Sequence, residues 1–282
     1  MMWQAERQPM PKTHVSQVGR LRSIEGRHNT LIKELRKAFS GGDLTVDSCC
    51  AIEGLRIVEE AIRSGLKFRA VFFSASAKSK AERLLPQLGA HVETVILPDK
   101  LFATAVPTEA PQGVAALARC RNFALEDVLA KSEAGPLVAV VGLQDPGNLG
   151  TMIRSAEAFG AAGMLLGDGT VSPFNSKAVR ASAGSVFRLP VVKVKMPDIL
   201  GELRERGLRL IATSSHKGIP LPEAALTGRL AIFIGGEGAG LGRDLIAEMD
   251  EVVAIPHSPK VESLNAGVAA SIVLYEIWRR RE

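Results

Sequence analysis

The chain has 282 residues, 46% hydrophobic and 23% charged, which is enough for about two ordinary globular domains. No apolar run approaches the roughly 18 residues that span a bilayer, and Met1-Met2-Trp3-Gln4-Ala5-Glu6-Arg7 lacks the apolar centre of a secretory signal. The net charge of +5 resides in residues 1–40, where eight Lys/Arg face three acids, and a basic arm on a neutral body fits a polyanionic partner. Cys49, Cys50 and Cys120 have no CxxC spacing and the five histidines are scattered. A disulfide framework and a metal site are therefore not expected, and a reducing cytoplasm is.

In chain order, residues 1–20 lack periodicity and read as a flexible arm. Residues 29–39 read as a basic amphipathic helix with Leu31, Ile32, Leu35 and Phe39 inward, ended by Gly41-Gly42. A helix over 52–62, a strand over 69–73, a helix over 81–88, a strand over 92–97, a short helix near 100–102 and a strand over 113–118 complete an α/β unit over 21–120. Residues 121–136 are a linker, partly helical at 125–129 and closed by Gly135-Pro136. A second α/β unit follows over 137–282. Its predicted strands are 137–143, 163–166, 187–192, 208–212, 230–235 and 251–255. Its predicted helices are 148–159, 177–183, 197–206, 241–248 and 264–280.

Three stretches of the second unit carry polar residues just after strands, where open α/β sheets bind ligands. In the first, Leu137-Val138-Ala139-Val140-Val141 reads as a buried parallel strand and Asp145-Pro146-Gly147-Asn148 as a turn. Leu149, Met152, Ile153 and Ala156 then recur at helical spacing. Asn148 is expected as the N-cap and Arg154 on the polar side. In the second, Gly235-Gly236-Glu237-Gly238-Ala239-Gly240-Leu241-Gly242 fits neither a dinucleotide fingerprint, which needs Gly at 241, nor a P-loop. Glu237 would repel a pyrophosphate and suit a cationic or hydroxyl-rich ligand. In the third, Ile255-Pro256 leads through Val261-Glu262-Ser263-Leu264-Asn265 into a long helix that Ser263 is expected to cap. Capping explains each polar residue singly, but not all three stretches together.

The three stretches, in this order, resemble the signature motifs of the SpoU (TrmH) family of RNA ribose 2′-O-methyltransferases in the SPOUT superfamily. Lys177-Ala178-Val179-Arg180-Ala181-Ser182-Ala183-Gly184 and Ala212-Thr213-Ser214 are also similar. The resemblance covers 137–282. A fainter one, through Ile52-Glu53-Gly54 and Pro111-Gln112-Gly113-Val114, extends over the first unit and implies a ribosomal-protein-like RNA-binding domain. Two positions depart from the family pattern: Ser176 replaces a usual proline, and His257-Ser258-Pro259 replaces Met-x-Gly.

The resemblance implies S-adenosylmethionine as cofactor, a trefoil knot in the C-terminal domain and a homodimer formed through that domain. It places the cofactor among Thr213, Gly236, Ile255, Ser263, Leu264 and Asn265. It assigns the chemistry to Asn148, Arg154, Glu237, Ser263 and Asn265. Arg154 is the family's base, yet a guanidinium is normally always protonated, so base and phosphate clamp both stand as readings. Ribosomal RNA is the first substrate expected. A transfer RNA methyltransferase and a non-catalytic ribosome-assembly factor are the alternatives.

Overall fold

A computed structural model describes residues 20–238 and 240–281, so all but the last residue of the expected arm lies outside the described residues. Two sheets organise the chain. The first is built from β1 (Arg22–Ser23), β2 (Cys49–Glu53), β3 (Lys67–Ser74), β4 (Glu93–Leu97) and β5 (Val114–Arg119), in the order β1-β4-β3-β5-β2. β1 and β3 run parallel to β4, whereas β5 is antiparallel to β3 and β2. Its helices are α1 (Thr30–Gly41), α2 (Leu55–Arg63), α3 (Lys78–Leu84) and α4 (Asp99–Ala103). Leu31, Ile32 and Leu35 of α1 and Phe102 of α4 pack on one face, against Phe72 and Leu117. Ile57, Val58 and Ala61 of α2 and Ala81 and Leu84 of α3 cover the other, against Val71 and Phe73.

After α5 (Leu125–Ala130) comes the second sheet: β6 (Leu137–Val141), β7 (Gly163–Leu166), β8 (Val191–Lys193), β9 (Arg209–Ser214), β10 (Ile219–Pro220), β11 (Leu230–Gly235) and β12 (Glu251–Ala254). The order is β10-β12-β9-β11-β6-β7-β8, parallel throughout. Its helices are α6 (Pro146–Ala158), α7 (Ser176–Ala181), α8 (Met196–Glu205), α9 (Arg243–Ala247) and α10 (Ala266–Arg279). The continuous apolar run of β6 is explained by this layering. Val138 and Val140 face α6, α7 and α10, while Leu137 and Ala139 face α5 and α8.

Several expected boundaries moved for local reasons. Ile52 opens no helix. It lies in β2, whose five residues are all buried and so show no alternation, and α2 begins after Gly54 at a φ of 101°. The helix expected to Leu88 ends at Leu84, followed by a 3-10 turn over Leu85–Gln87 that contains Pro86. The strand expected from Phe187 starts at Val191. Ala183 and Gly184, at φ of 49° and 90°, turn the chain into a 3-10 turn over Ser185–Phe187 first. β1 and β10 have two residues each and left no periodic signal. Cys49, Cys50 and Cys120 are all free.

The two units meet along α2, the α1–β2 loop and the α7 region. Asp43 accepts from Lys193 Nζ at 2.6 Å and from Ser172 Oγ at 3.0 Å. Arg188 grips Glu157 of α6 bidentately, at 2.6 and 2.8 Å, and reaches Ser64 Oγ at 2.9 Å and Glu60 Oε2 at 3.3 Å. Burial alone would raise the pKa of Asp43 and of Glu157. The bonds to Asp43 from Lys193, the Leu44 N–H and Ser172, and those to Glu157 from Arg188 and Ser185, outweigh it and hold both below the ordinary carboxylate range. A carboxylate whose folded pKa is depressed adds stability in full above its unfolded value, about 4, and loses it as the pH falls through the folded one. The melting temperature should therefore fall on acidification below about pH 4. Asp43→Asn/Glu157→Gln should fall less steeply in a thermal melt series, and an unchanged slope would show that these two groups do not carry the effect.

Candidate active site

The site begins with how two helices start. α6 is capped by Asp145, whose Oδ1 accepts from the Asn148 N–H at 2.8 Å, with Pro146 in the first turn. Asn148, expected as the cap, lies inside the helix and its side chain is released for other contacts. Likewise α10 is capped by Asn265 and not by the expected Ser263. Asn265 Oδ1 accepts from the Val268 N–H at 3.1 Å. α6 thus starts three residues earlier and α10 two residues later than expected, a choice that several closely spaced capping residues leave open.

These caps place three side chains together. With its oxygen engaged by the helix, Asn265 turns Nδ2 outward, where it donates to Asn148 Oδ1 at 2.9 Å and to Glu237 Oε1 at 3.3 Å. Asn148 in turn donates through Nδ2 to Glu237 Oε1. The loops after β6, β11 and β12 are thus tied by one carboxylate and two amides. Both donors are neutral, so the cluster keeps the negative charge of Glu237. The partners of Glu237 in this cluster are the two asparagines and not a cation. Arg154 is exposed and, among the described residues, has no hydrogen-bond or ion-pair partner. Six residues separate it from Asn148, which places it about 120° round the helix, away from the carboxylate.

Beside the cluster lies a cavity of about 520 Å3 at the carboxyl ends of β9, β11 and β12. Thr213, Gly236, Ile255, Ser263 and Leu264 line it, as does Glu237, whereas Asn265 stands next to it in the cluster. The Thr213 hydroxyl donates to the Phe233 carbonyl at 3.1 Å, fixing the end of β9 against β11. The glycine loop is shaped first by the protein's own backbone. A Cβ at Gly236 would lie 2.0 Å from the Gly142 carbonyl oxygen. Among the described residues the cavity's charged or ionisable lining side chains are Glu237, Glu262, His216 and His257, with no Lys or Arg. Such a lining disfavours a polyphosphate and suits a ligand with a positive centre, together with polar and apolar parts. S-adenosylmethionine, with its sulfonium, fits that description.

Two features were not foreseen. Lys177 Nζ lies 2.7 Å from Asp145 Oδ2, and with the Asn148 N–H it holds the cap carboxylate below its usual pKa. His216 and His257 also face each other across the cavity wall, with ring centroids 6.3 Å apart, and His257 Nδ1 is 2.7 Å from the Ile255 carbonyl. Neither pairing has a local sequence signal, because 32 and 41 residues of chain separate the partners. Among the described residues no group of three His, Cys, Asp or Glu could hold a metal ion.

Comparison with known proteins gives the family. Residues 135–275 match the model of the SpoU rRNA Methylase family, and residues 29–116 match the MRM3-like substrate binding domain. The chain is 33% identical to the 23S rRNA (guanosine(2553)-2′-O)-methyltransferase RlmP of Bacillus subtilis, over 91% of this chain and 99% of that protein. The crystal structure of the SpoU methyltransferase AviRb from Streptomyces viridochromogenes in complex with AdoMet superposes with a TM-score of 0.79 at 26% identity, covering 90% of this chain and 98% of that one. An AdoMet-bound rRNA methyltransferase from Sinorhizobium meliloti gives 0.78 at 26% identity, covering 93% and 99%. With the three loops in place and matches along nearly the whole length, the chain belongs to the SpoU rRNA methylase family.

Proposed function

We propose that this chain transfers a methyl group from S-adenosylmethionine to a ribose 2′-hydroxyl of ribosomal RNA. The observation that carries the reading is the Asn148–Glu237–Asn265 cluster at the lip of a cavity that, among the described residues, is lined by no lysine or arginine. When bound, the cofactor supplies an electrophilic methyl on a sulfonium. Thr213, Gly236, Ile255, Ser263 and Leu264 hold it, with Asn265 at the edge. Glu237 contributes the negative charge that favours a sulfonium, and both asparagines bind it through Oε1, which leaves Oε2 to accept from a ribose hydroxyl. Asn148 and Asn265 fix that carboxylate, so it does not reorganise during the reaction. Ser263, exposed at the cavity wall, completes the polar lip beside the incoming ribose.

Arg154 we read as a phosphate clamp. A guanidinium offers the planar, bidentate donor geometry that phosphate oxygens accept. It also lies at the border of an apolar face. Val268, Ile272, Tyr275 and Trp278 of α10 are exposed, and Tyr275 meets Phe159 edge-on and Trp278 meets it at a tilt, at centroid distances of 5.6 and 6.1 Å. Neighbouring Ser155 bonds Ser271 of α10 at 2.7 Å, so Arg154 flanks this same seam. A second copy of the chain covers the face, giving a homodimer through the C-terminal domain.

By the same reading, residues 137–282 form the knotted SPOUT domain. The loops after β9, β11 and β12 together line its cavity. Residues 21–120 form a ribosomal-protein-like RNA-binding domain joined by the 121–136 linker, with the basic arm over 1–20 adding phosphate contacts. The protein works in the cytoplasm, a setting compatible with its three free thiols.

Arg154→Ala should lower methyl transfer by about a hundredfold or more and leave cofactor affinity within about twofold. Single-turnover assays with calorimetric titration read both, and near-normal turnover would refute the clamp. Gly236→Ala should weaken cofactor binding at least about tenfold, since backbone must yield to the new Cβ. Unchanged affinity would place the cofactor elsewhere. By light scattering the protein should have the mass of a dimer and Ile272→Glu/Trp278→Glu that of a monomer. A wild-type monomer would contradict the proposed face.

A further inference from the structure

The junction between the two units carries an inference that rests on the methyltransferase reading. Two anchors cross it at separate places. Asp43, just after α1, takes Lys193 of β8 and Ser172. Glu60 and Ser64, at the end of α2, take Arg188. Packing is tight at the second anchor, where a Cβ on Gly184 would approach Glu60 Cβ to 2.8 Å, and close at the first, where one on Gly42 would touch Asn175 Nδ2 at 3.4 Å. A single apolar cluster runs from Val58, Val71 and Phe73 of the first unit to Val140, Ile153 and Phe187 of the second. Units joined by a linker are expected to move unless their interface is extensive and apolar. Here an apolar seam is flanked by two polar anchors.

The Arg188 anchor has a further property. Its bidentate partner, Glu157, stands on α6, the helix that carries Asn148 into the reaction centre. Nine residues separate Asn148 from Glu157, about 14 Å along a helix axis. One rigid helix thus joins the reaction centre to the seat of the RNA-binding unit. We infer that the Asp43–Lys193 and Glu60/Ser64–Arg188 anchors hold the first unit at a fixed offset from Asn148 and Glu237, and that this offset selects which nucleotide of the bound RNA presents its 2′-hydroxyl. Asp43, Glu60, Ser64 and Arg188 are positioning residues. None of them lines the cofactor cavity.

The test maps 2′-O-methylation on ribosomal RNA from cells lacking the gene, using the full chain and labelled S-adenosylmethionine. Wild type should label one nucleotide. Asp43→Asn/Glu60→Gln/Ser64→Ala should bind cofactor as before, lose about tenfold in kcat/KM for RNA and spread label to neighbouring nucleotides, because small misplacements at a reaction centre are costly. Asp43→Lys should behave likewise, and Asp43→Lys/Lys193→Asp should restore the single site. This swapped pair also decides the matter should the triple variant fail to fold. A triple variant that labels the same single nucleotide at the wild-type rate overturns the inference, as does a swapped pair no better than Asp43→Lys alone. Wild type that labels nothing overturns the methyltransferase reading itself, and this inference with it.

Discussion

The site depends on one hydrogen bond that is not itself part of any chemistry: Asn265 Oδ1 accepting the Val268 N–H at 3.1 Å. An amide has one acceptor end and one donor end. With the acceptor spent on the helix, the donor end must face Asn148 and Glu237, and the rest of the cluster follows. Aspartate at 265 would cap α10 as well, but it would set a second negative charge against Glu237. Serine would cap it without reaching across. The structure thus gives a reason for asparagine at this position beyond helix propensity. It also accounts for a carboxylate held by neutral groups, which preserves the negative charge that a cationic ligand needs.

Close backbone approach makes that cluster possible. α6 and α7 touch at Gly150, where a Cβ would fall 2.4 Å from the Ala178 carbonyl, and the β11 loop lies on Gly142 through Gly236. α10 reaches α6 through Ser155–Ser271. The same α6 that carries Asn148 at one end is fastened at the other to Arg188, and through it to α2. The Asn148–Glu237–Asn265 cluster and the first unit are therefore joined by one mechanical element.

What was legible in the sequence and what was not divides along physical lines. The buried strand 230–235 and the strand 163–166 were readable because continuous apolar runs bounded by turns signal parallel strands. The three polar loops stood out as an ordered set of motifs. β2 was missed because a strand buried on both faces has no period, and β1 and β10 because two residues have no pattern. The caps were misplaced by two or three residues because Asp145, Asn148, Ser263 and Asn265 are all competent N-caps. Only three-dimensional packing decides which of them is freed for the site. Pairings such as Lys177 with Asp145, Arg188 with Glu60 and Glu237 with both asparagines join distant segments, and no window of sequence contains them.

This cluster and cavity are proposed to serve transfer of a methyl group to a ribose oxygen. The most direct measurement incubates the purified chain with radiolabelled S-adenosylmethionine and total RNA from cells lacking the gene, separates the RNAs by size and digests them to nucleosides. The account predicts label in ribosomal RNA, recovered as a 2′-O-methylated nucleoside. Label recovered on a base, or none in any RNA while the cofactor binds, would contradict it.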